Sequence, residues 1–176
     1  MKINLIVAYS NNYVIGNDNI IPWYYKEDLQ YFRKITTETT DKFKKNIVIM
    51  GCNTHMSISN NILKNRINIV ITTKELENKD TIYYVNSIGN ALELCEKLIG
   101  DNSAEKVFII GGESIYKSFN NPKYYKVLDK IYITRIYKDF VGNKYFYKLD
   151  DNFNVESIIQ SKVHPELEYK ILKINY

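Results

Sequence analysis

Two uninterrupted apolar runs constrain this chain more than any other feature. Ile47-Val48-Ile49-Met50 ends at Gly51, and Val107-Phe108-Ile109-Ile110 ends at Gly111-Gly112. A strand with one wet face alternates apolar and polar residues, whereas a run without alternation must be covered on both faces. Ile67–Ile71, Thr81–Val85 and Ile131–Ile136 are further strand candidates, and Ile3–Ala8 is a mostly apolar strand interrupted by Asn4. Between the strands lie segments with helical spacing. Leu29, Phe32 and Ile35 or Thr36 recur on one face of a helix of roughly three turns beginning near Lys26. Ala91, Leu94, Cys95 and Leu98 define another, with Ser87 as its cap and Gly100-Asp101-Asn102 as its end. Asn53–Ile58 reads as a short helix after the Gly51 strand, and Gly111-Gly112 opens one more.

This alternation predicts an α/β fold of three layers, a mostly parallel central sheet flanked by helices. The tail from Phe153 to Tyr176 alternates instead. Val155, Ile158 and Ile159 precede a polar loop at His164-Pro165, and Tyr169, Ile171 and Ile174 follow it, which predicts a C-terminal antiparallel hairpin at a sheet edge. Asn120–Tyr125 and Asp139–Asp151 read as loops. The 176 residues suit one domain spanning 1–176, with no internal repeat and no polar linker.

Charge and cysteine content narrow the function. The formal net charge of +4 suits solubility and mild attraction to anions, but no basic block exceeds three residues, so nucleic acid is not an expected partner. The Lys42, Lys44 and Lys45 group reads as a solvated connection. Cys52 and Cys95 form neither a disulfide framework nor a zinc spacing, and His55 and His164, the only histidines, read as packing or surface residues. No metal site and a cytoplasmic setting are the expectations. The first apolar run is too short for a signal peptide, and no run reaches membrane-spanning length.

Three elements carry chemistry. In Pro22-Trp23-Tyr24-Tyr25-Lys26-Glu27-Asp28-Leu29 an acid follows a Pro-Trp turn at the start of an apolar helix. Beside Pro22, Trp23, Leu29 and Phe32, the Asp28 carboxyl is shielded from water, which raises its pKa and suits it to grip a nitrogen heterocycle. A first-turn acid also meets the positive end of a helix dipole, so either role fits Asp28. The strand–Gly111-Gly112–helix element serves either a tight chain turn or a phosphate cradle. It is neither a Rossmann fingerprint nor a P-loop. Met50-Gly51-Cys52-Asn53-Thr54 repeats the arrangement, with Thr54 as cap or ligand. Both elements lie at strand carboxyl ends, where ligands of open sheets bind.

Taken in order, these blocks resemble the dihydrofolate reductase family, in a short bacterial-like form. The matching segments run from Ile6 to about Phe146. They are Val7-Ala8, Ile15-Gly16, Pro22-Trp23 with Asp28, Met50-Gly51-x-x-Thr54-x-x-Ser57-Ile58, Arg66-Ile67-Asn68, Gly111-Gly112-x-x-Ile115-Tyr116 and Thr134-Arg135. The resemblance implies NADPH-dependent reduction of 7,8-dihydrofolate to tetrahydrofolate, with hydride reaching pterin C6 and a water-mediated proton reaching N5. It implies that Asp28 is the active-site carboxylate bonding the pterin, that the Thr134 hydroxyl supports it and that Trp23 helps hold a water near the ring. Ile6, Ala8, Leu29, Phe32, Ile58 and Ile110 match the walls around pterin, aminobenzoyl ring and nicotinamide. Leu63 and Arg66 match the outer site, where Arg66 pairs a folate carboxylate. The matching cofactor shell is Ala8, Ile15, Gly16, Ile21, Gly51, Cys52, Asn53, Thr54, Thr72, Thr73, Lys74, Gly111, Gly112, Glu113, Ser114, Ile115 and Tyr116. Gly16–Ile21 matches the loop that closes over the nicotinamide. Dihydrofolate and antifolates are the implied small-molecule ligands, and a monomer is the implied state.

Three positions depart from the pattern. Cys52 stands where the family usually places Arg or Lys against the 2′-phosphate of the cofactor, which implies a weaker preference for NADPH over NADH unless Lys74 supplies the charge. Asn143 stands where an acid usually helps hold the loop closed, which implies altered loop kinetics. His55 replaces the usual Trp after Thr54. Two rivals remain, another NADPH-dependent pterin or pyrimidine reductase of the same fold and a non-catalytic folate- or nucleotide-binding or structural protein. Asp28 together with Arg66 argues against the first. Intact Asp28, Trp23 and the glycine pair argue against the second.

Overall fold

The architecture is that of a computed structural model, which describes residues 1–58, 62–149 and 153–174. The elements in chain order are β1 (Ile3–Ser10), β2 (Val14–Gly16), α1 (Lys26–Thr37), β3 (Lys45–Gly51), α2 (Cys52–Ser57), β4 (Arg66–Ile71), β5 (Ile82–Val85), α3 (Ile88–Gly100), β6 (Ala104–Gly111), α4 (Glu113–Phe119), α5 (Pro122–Tyr125), β7 (Leu128–Ile136), β8 (Lys144–Tyr145), β9 (Phe153–Gln160) and β10 (Leu167–Ile174). Eight strands form one sheet in the order β5-β4-β3-β6-β1-β7-β10-β9. The pairings from β5 through β7 are parallel, and β10 runs antiparallel to both β7 and β9. The mostly parallel sheet with a C-terminal antiparallel hairpin is therefore as expected.

The apolar runs are buried on both faces because two separate clusters need them. Ile47, Ile49, Val107 and Ile109 pack with Ala91 and Cys95 of α3 and with Ile115, Tyr116 and Phe119 of α4. On the other face Val48, Met50, Val70 and Phe108 pack with Phe32 and Ile35 of α1. Ser87 caps α3, its hydroxyl accepting the Asn90 N–H at 3.1 Å. Among the described residues, no helix is long and apolar enough to cross a membrane.

Three short elements have no counterpart among the sequence expectations: the three-residue strand β2, the turn α5 and the strand β8. Residues 120–125, expected as a loop, contain the single turn α5. Pro122 opens that turn, and the Asn121 side chain accepts the Lys123 N–H at 2.9 Å. Residues 139–151, also expected as a loop, contain β8, which pairs antiparallel with β2. A two-residue strand has no periodicity to detect and exists only through its partner. The last two positions of that expected loop, 150 and 151, and the end of the expected tail hairpin, 175 and 176, lie outside the described residues.

Candidate active site

The carboxyl ends of the parallel strands open into a cavity of about 1220 Å³. Ala8 enters from β1, Gly51 from β3, Ile71 from β4 with Thr72 just beyond it, Asn86 from just beyond β5, Ile110 from β6 with Gly112 just beyond it, and Thr134 from β7. Helix α1 forms the opposite wall with Asp28, Leu29, Phe32 and Arg33. Every site residue expected from the sequence lines this cavity except Gly111. That glycine is buried behind the wall at φ +114°, and a Cβ on it would sit 3.1 Å from the Tyr116 ring. Gly111 is needed for the turn rather than for a lining surface.

One end of the cavity is built around an acid. Asp28 sits in the first turn of α1, and burial pushes its carboxyl above the usual range. A hydrogen bond with Thr134 opposes that shift, and the neighbouring Glu27 charge adds to it. Thr134 is 3% exposed, so its hydroxyl has little competition from water. Trp23 lines the same region, its ring 5.2 Å from that of Phe140. Tyr31, one helical turn after Asp28, packs 4.4 Å from Tyr169. Burial foremost raises the Tyr31 hydroxyl to about 12, so at neutral pH it is a neutral wall with a polar tip.

A second polar group is the guanidinium of Arg66, at the start of β4. The residue is only 5% exposed. Its Nη1 donates to Thr36 Oγ1 at 2.8 Å, its Nε donates to the Lys64 carbonyl at 3.1 Å, and its charge lies 5.8 Å from the Phe32 ring centre. Burial, with a smaller contribution from the Arg33 charge, lowers it to about 10. No ion pair among the described residues neutralises it, which leaves the fork with capacity for an incoming carboxylate. The segment before it is held by buried Asn68, which accepts the Leu63 N–H and donates to the Leu63 and Arg66 carbonyls. Leu63 and Arg66 are thereby presented together.

The two glycine elements meet on another wall. A Cβ on Gly112 would lie 3.1 Å from Thr54 Oγ1, and one on Gly51 would lie 3.3 Å from Ile115 Cγ1. The absence of both side chains leaves backbone accessible between β3 and β6, an arrangement suited to a phosphate-bearing ligand. The buried Tyr116 donates its hydroxyl to the Ile6 carbonyl at 2.8 Å, fixing α4 against β1. Cys52, Asn53, Thr72, Thr73 and Lys74 line the cavity near the ends of β3 and β4. Thr72 Oγ1 accepts the Lys74 N–H at 3.2 Å. Of the two roles expected for His55, packing and surface, it takes the first: it is buried and lies edge-on against Tyr84 at 5.8 Å.

Gly16–Ile21 lies along the cavity mouth and is held from outside by the β8 segment. Asn143 N–H donates to the Gly16 carbonyl at 3.1 Å, and its side chain exchanges two hydrogen bonds with Asp18. Behind this mount, aromatic rings stack in the order Tyr13, Tyr9, Phe146 and Tyr147. Arg135 lies over the Tyr9 and Tyr13 rings at 4.9 and 5.0 Å.

Among the lining residues outside the expected set are Tyr31, Arg33, Ile71, Asn86 and Lys144. Tyr31 was within reach of helical spacing, since it stands three residues after Asp28. Asn86 follows a strand carboxyl end, where open sheets bind ligands. Lys144 carried no signal, because β8 itself was invisible.

Comparison with known proteins gives a consistent result. The family described as dihydrofolate reductase matches residues 2–176 of the chain. A dihydrofolate reductase of Pneumocystis carinii is 36% identical, with 95% of this chain and 84% of that protein covered. One from Bos taurus is 37% identical, with 84% and 80% covered. A bacterial one, from Buchnera aphidicola subsp. Schizaphis graminum, is 40% identical, with 83% and 79% covered.

Proposed function

The chain belongs to the dihydrofolate reductase family, and from that premise we propose that it reduces 7,8-dihydrofolate to tetrahydrofolate with NADPH. The observation that carries the reading is the pairing of Asp28 and Arg66 in one cavity. A shielded acid backed by a hydroxyl suits the amino and ring nitrogens of a pterin. A buried guanidinium suits the carboxylate at the other end of folate. Ile6, Ala8, Phe32, Ile58 and Ile110 supply apolar walls between them.

Asp28 orients the ring and favours its electron-poor form, and Thr134 holds the carboxylate in place. The proton for N5 comes from solvent admitted beside Trp23, not from Asp28 directly. Closure of Gly16–Ile21 excludes bulk water and strengthens the field of the carboxylate. The residues present fit the cofactor, because Gly51 and Gly112 leave uncovered backbone beside Thr54 and Ile115. When bound, NADPH supplies the hydride. Tyr116 and Ile15 position its ring, and Lys74 with Thr72 and Thr73 receives the phosphate end in place of a basic residue at Cys52. The proposed setting is a cytosolic monomer acting as one domain; of these, the unpaired thiols of Cys52 and Cys95 support only the reducing compartment.

The test is loss of reduced-nicotinamide absorbance when folded protein receives NADPH and dihydrofolate. Rapid oxidation that an antifolate such as methotrexate blocks is expected. No oxidation by folded protein would sink the assignment.

A further inference from the structure

We propose that Glu113 is a positioning residue that ties the glycine turn of the cavity to the mount of the Gly16–Ile21 loop. Glu113 follows Gly112 and opens α4. Its Oε1 accepts the backbone N–H of Tyr145 at 3.2 Å and the Lys117 ammonium at 3.0 Å. Tyr145 belongs to β8, so this one carboxylate oxygen joins the cavity wall to an element 32 residues away in sequence.

The mount is built around that contact. Tyr145 pairs with Val14 and Lys144 with Gly16. Phe146 N–H donates to the Tyr13 carbonyl at 2.9 Å, and Tyr145 Oη donates to the Gly142 carbonyl at 2.6 Å. Asn143, on the other side of Lys144, holds Gly16 and Asp18. The loop therefore hangs from β8, and Glu113 is the α4 side chain that bonds to β8.

A carboxylate is a poor choice for a wall that receives phosphates, because like charges repel. Here one of its two oxygens, Oε1, is already engaged by Tyr145 and Lys117. Burial pushes the carboxyl up, but Lys117, the Tyr145 N–H and Lys144 outweigh burial and hold it below the usual range. The group is fixed as an anion, and its oxygen faces the mount. This assigns Glu113 the role of a tether in place of a cofactor ligand. The inference uses the proposed function only to name what occupies the adjoining cavity.

The experiment is amide hydrogen exchange on the full chain without ligand. Glu113→Ala removes the acceptor and is expected to speed exchange at Asp18, Asn143 and Phe146 about tenfold, relative to amides of β4. Glu113→Gln keeps an acceptor oxygen and is expected to restore protection to within about twofold. Lys117→Met breaks only the pair within α4 and is expected to leave those three amides within about twofold of wild type. A merely local role would instead loosen α4 at Tyr116 and Lys117 and spare Asp18. The proposal is overturned if Glu113→Ala leaves the three amides unchanged, or if Glu113→Gln loosens them equally. Failure of the enzyme assignment would appear separately, as absent turnover in wild type, with these exchange rates unaffected.

Discussion

Asn143 and Asp18, 125 residues apart, grip each other through two hydrogen bonds. Asp18 N–H donates to Asn143 Oδ1 at 3.1 Å, and Asn143 Nδ2 donates to Asp18 Oδ1 at 2.6 Å. The second bond needs an amide at position 143, because a carboxylate there would face the Asp18 carboxylate. This chain thus places the acid on the loop and the amide on its mount, the reverse of what the usual acid at this position would give.

Asn143→Asp should therefore weaken loop closure even though it restores the usual residue. The swapped pair Asp18→Asn with Asn143→Asp should recover most of the loss. A double-mutant cycle on thermal unfolding should give a coupling of about 1 kcal/mol, modest because both side chains are exposed. Additive effects would show that the contact does no coupling.

Thr134→Val tests the support of the acid at nearly constant volume. The hydrogen bond from Thr134 lowers the Asp28 pKa against the stronger effect of burial, so its loss raises that pKa further. The acid limb of the kcat/KM pH profile should move to higher pH. Activity at neutral pH should fall about tenfold, the scale of one hydrogen bond to a charged group. An unmoved limb would separate Thr134 from Asp28.

The sequence exposed features that are local or periodic. Val48 and Phe108 betray a doubly covered strand because burial on both faces leaves a continuous apolar run. Asp28, Gly51 and Gly112 could be placed in one site because each sits next to the end of an element. What stayed hidden depends on distant pairing. Lys144 and Tyr145 form a strand only because Val14 and Gly16 lie beside them. The bond from Tyr145 to Glu113 and that from Asn143 to Asp18 leave no trace in spacing, since each joins residues far apart in the chain. Nor could spacing show that Arg66 is buried against Thr36, 30 residues before it.

Lys74 is the candidate for the charge missing at Cys52. Both line the cavity, near the ends of adjacent parallel strands. Lys74→Met should raise the KM for NADPH about fivefold, since a solvent-exposed charge acting on a phosphate contributes on the order of 1 kcal/mol. The KM for NADH should not move, and added salt should narrow the gap between the two cofactors. Equal use of NADH by the wild-type protein would remove Lys74 from this role.

Asp28→Asn should separate stability from activity. Burial raises the pKa of Asp28 in the folded protein above its unfolded value. For an acid shifted upward, its contribution to stability is fully present below the unfolded pKa of about 3.9 and is lost as pH rises through the folded pKa. At neutral and alkaline pH the ionised carboxylate therefore strains the ligand-free fold, while an amide of the same shape does not. The variant should melt at a higher temperature than wild type at alkaline pH. The difference should shrink as pH falls and disappear in acid. Turnover at neutral pH should drop by at least about 100-fold, because an amide cannot hold the pterin in its electron-poor form. Thermal unfolding across pH, read beside steady-state turnover, checks both. Wild-type turnover in this variant would overturn the role given to Asp28, and a melting difference independent of pH would show that burial of its charge carries no cost.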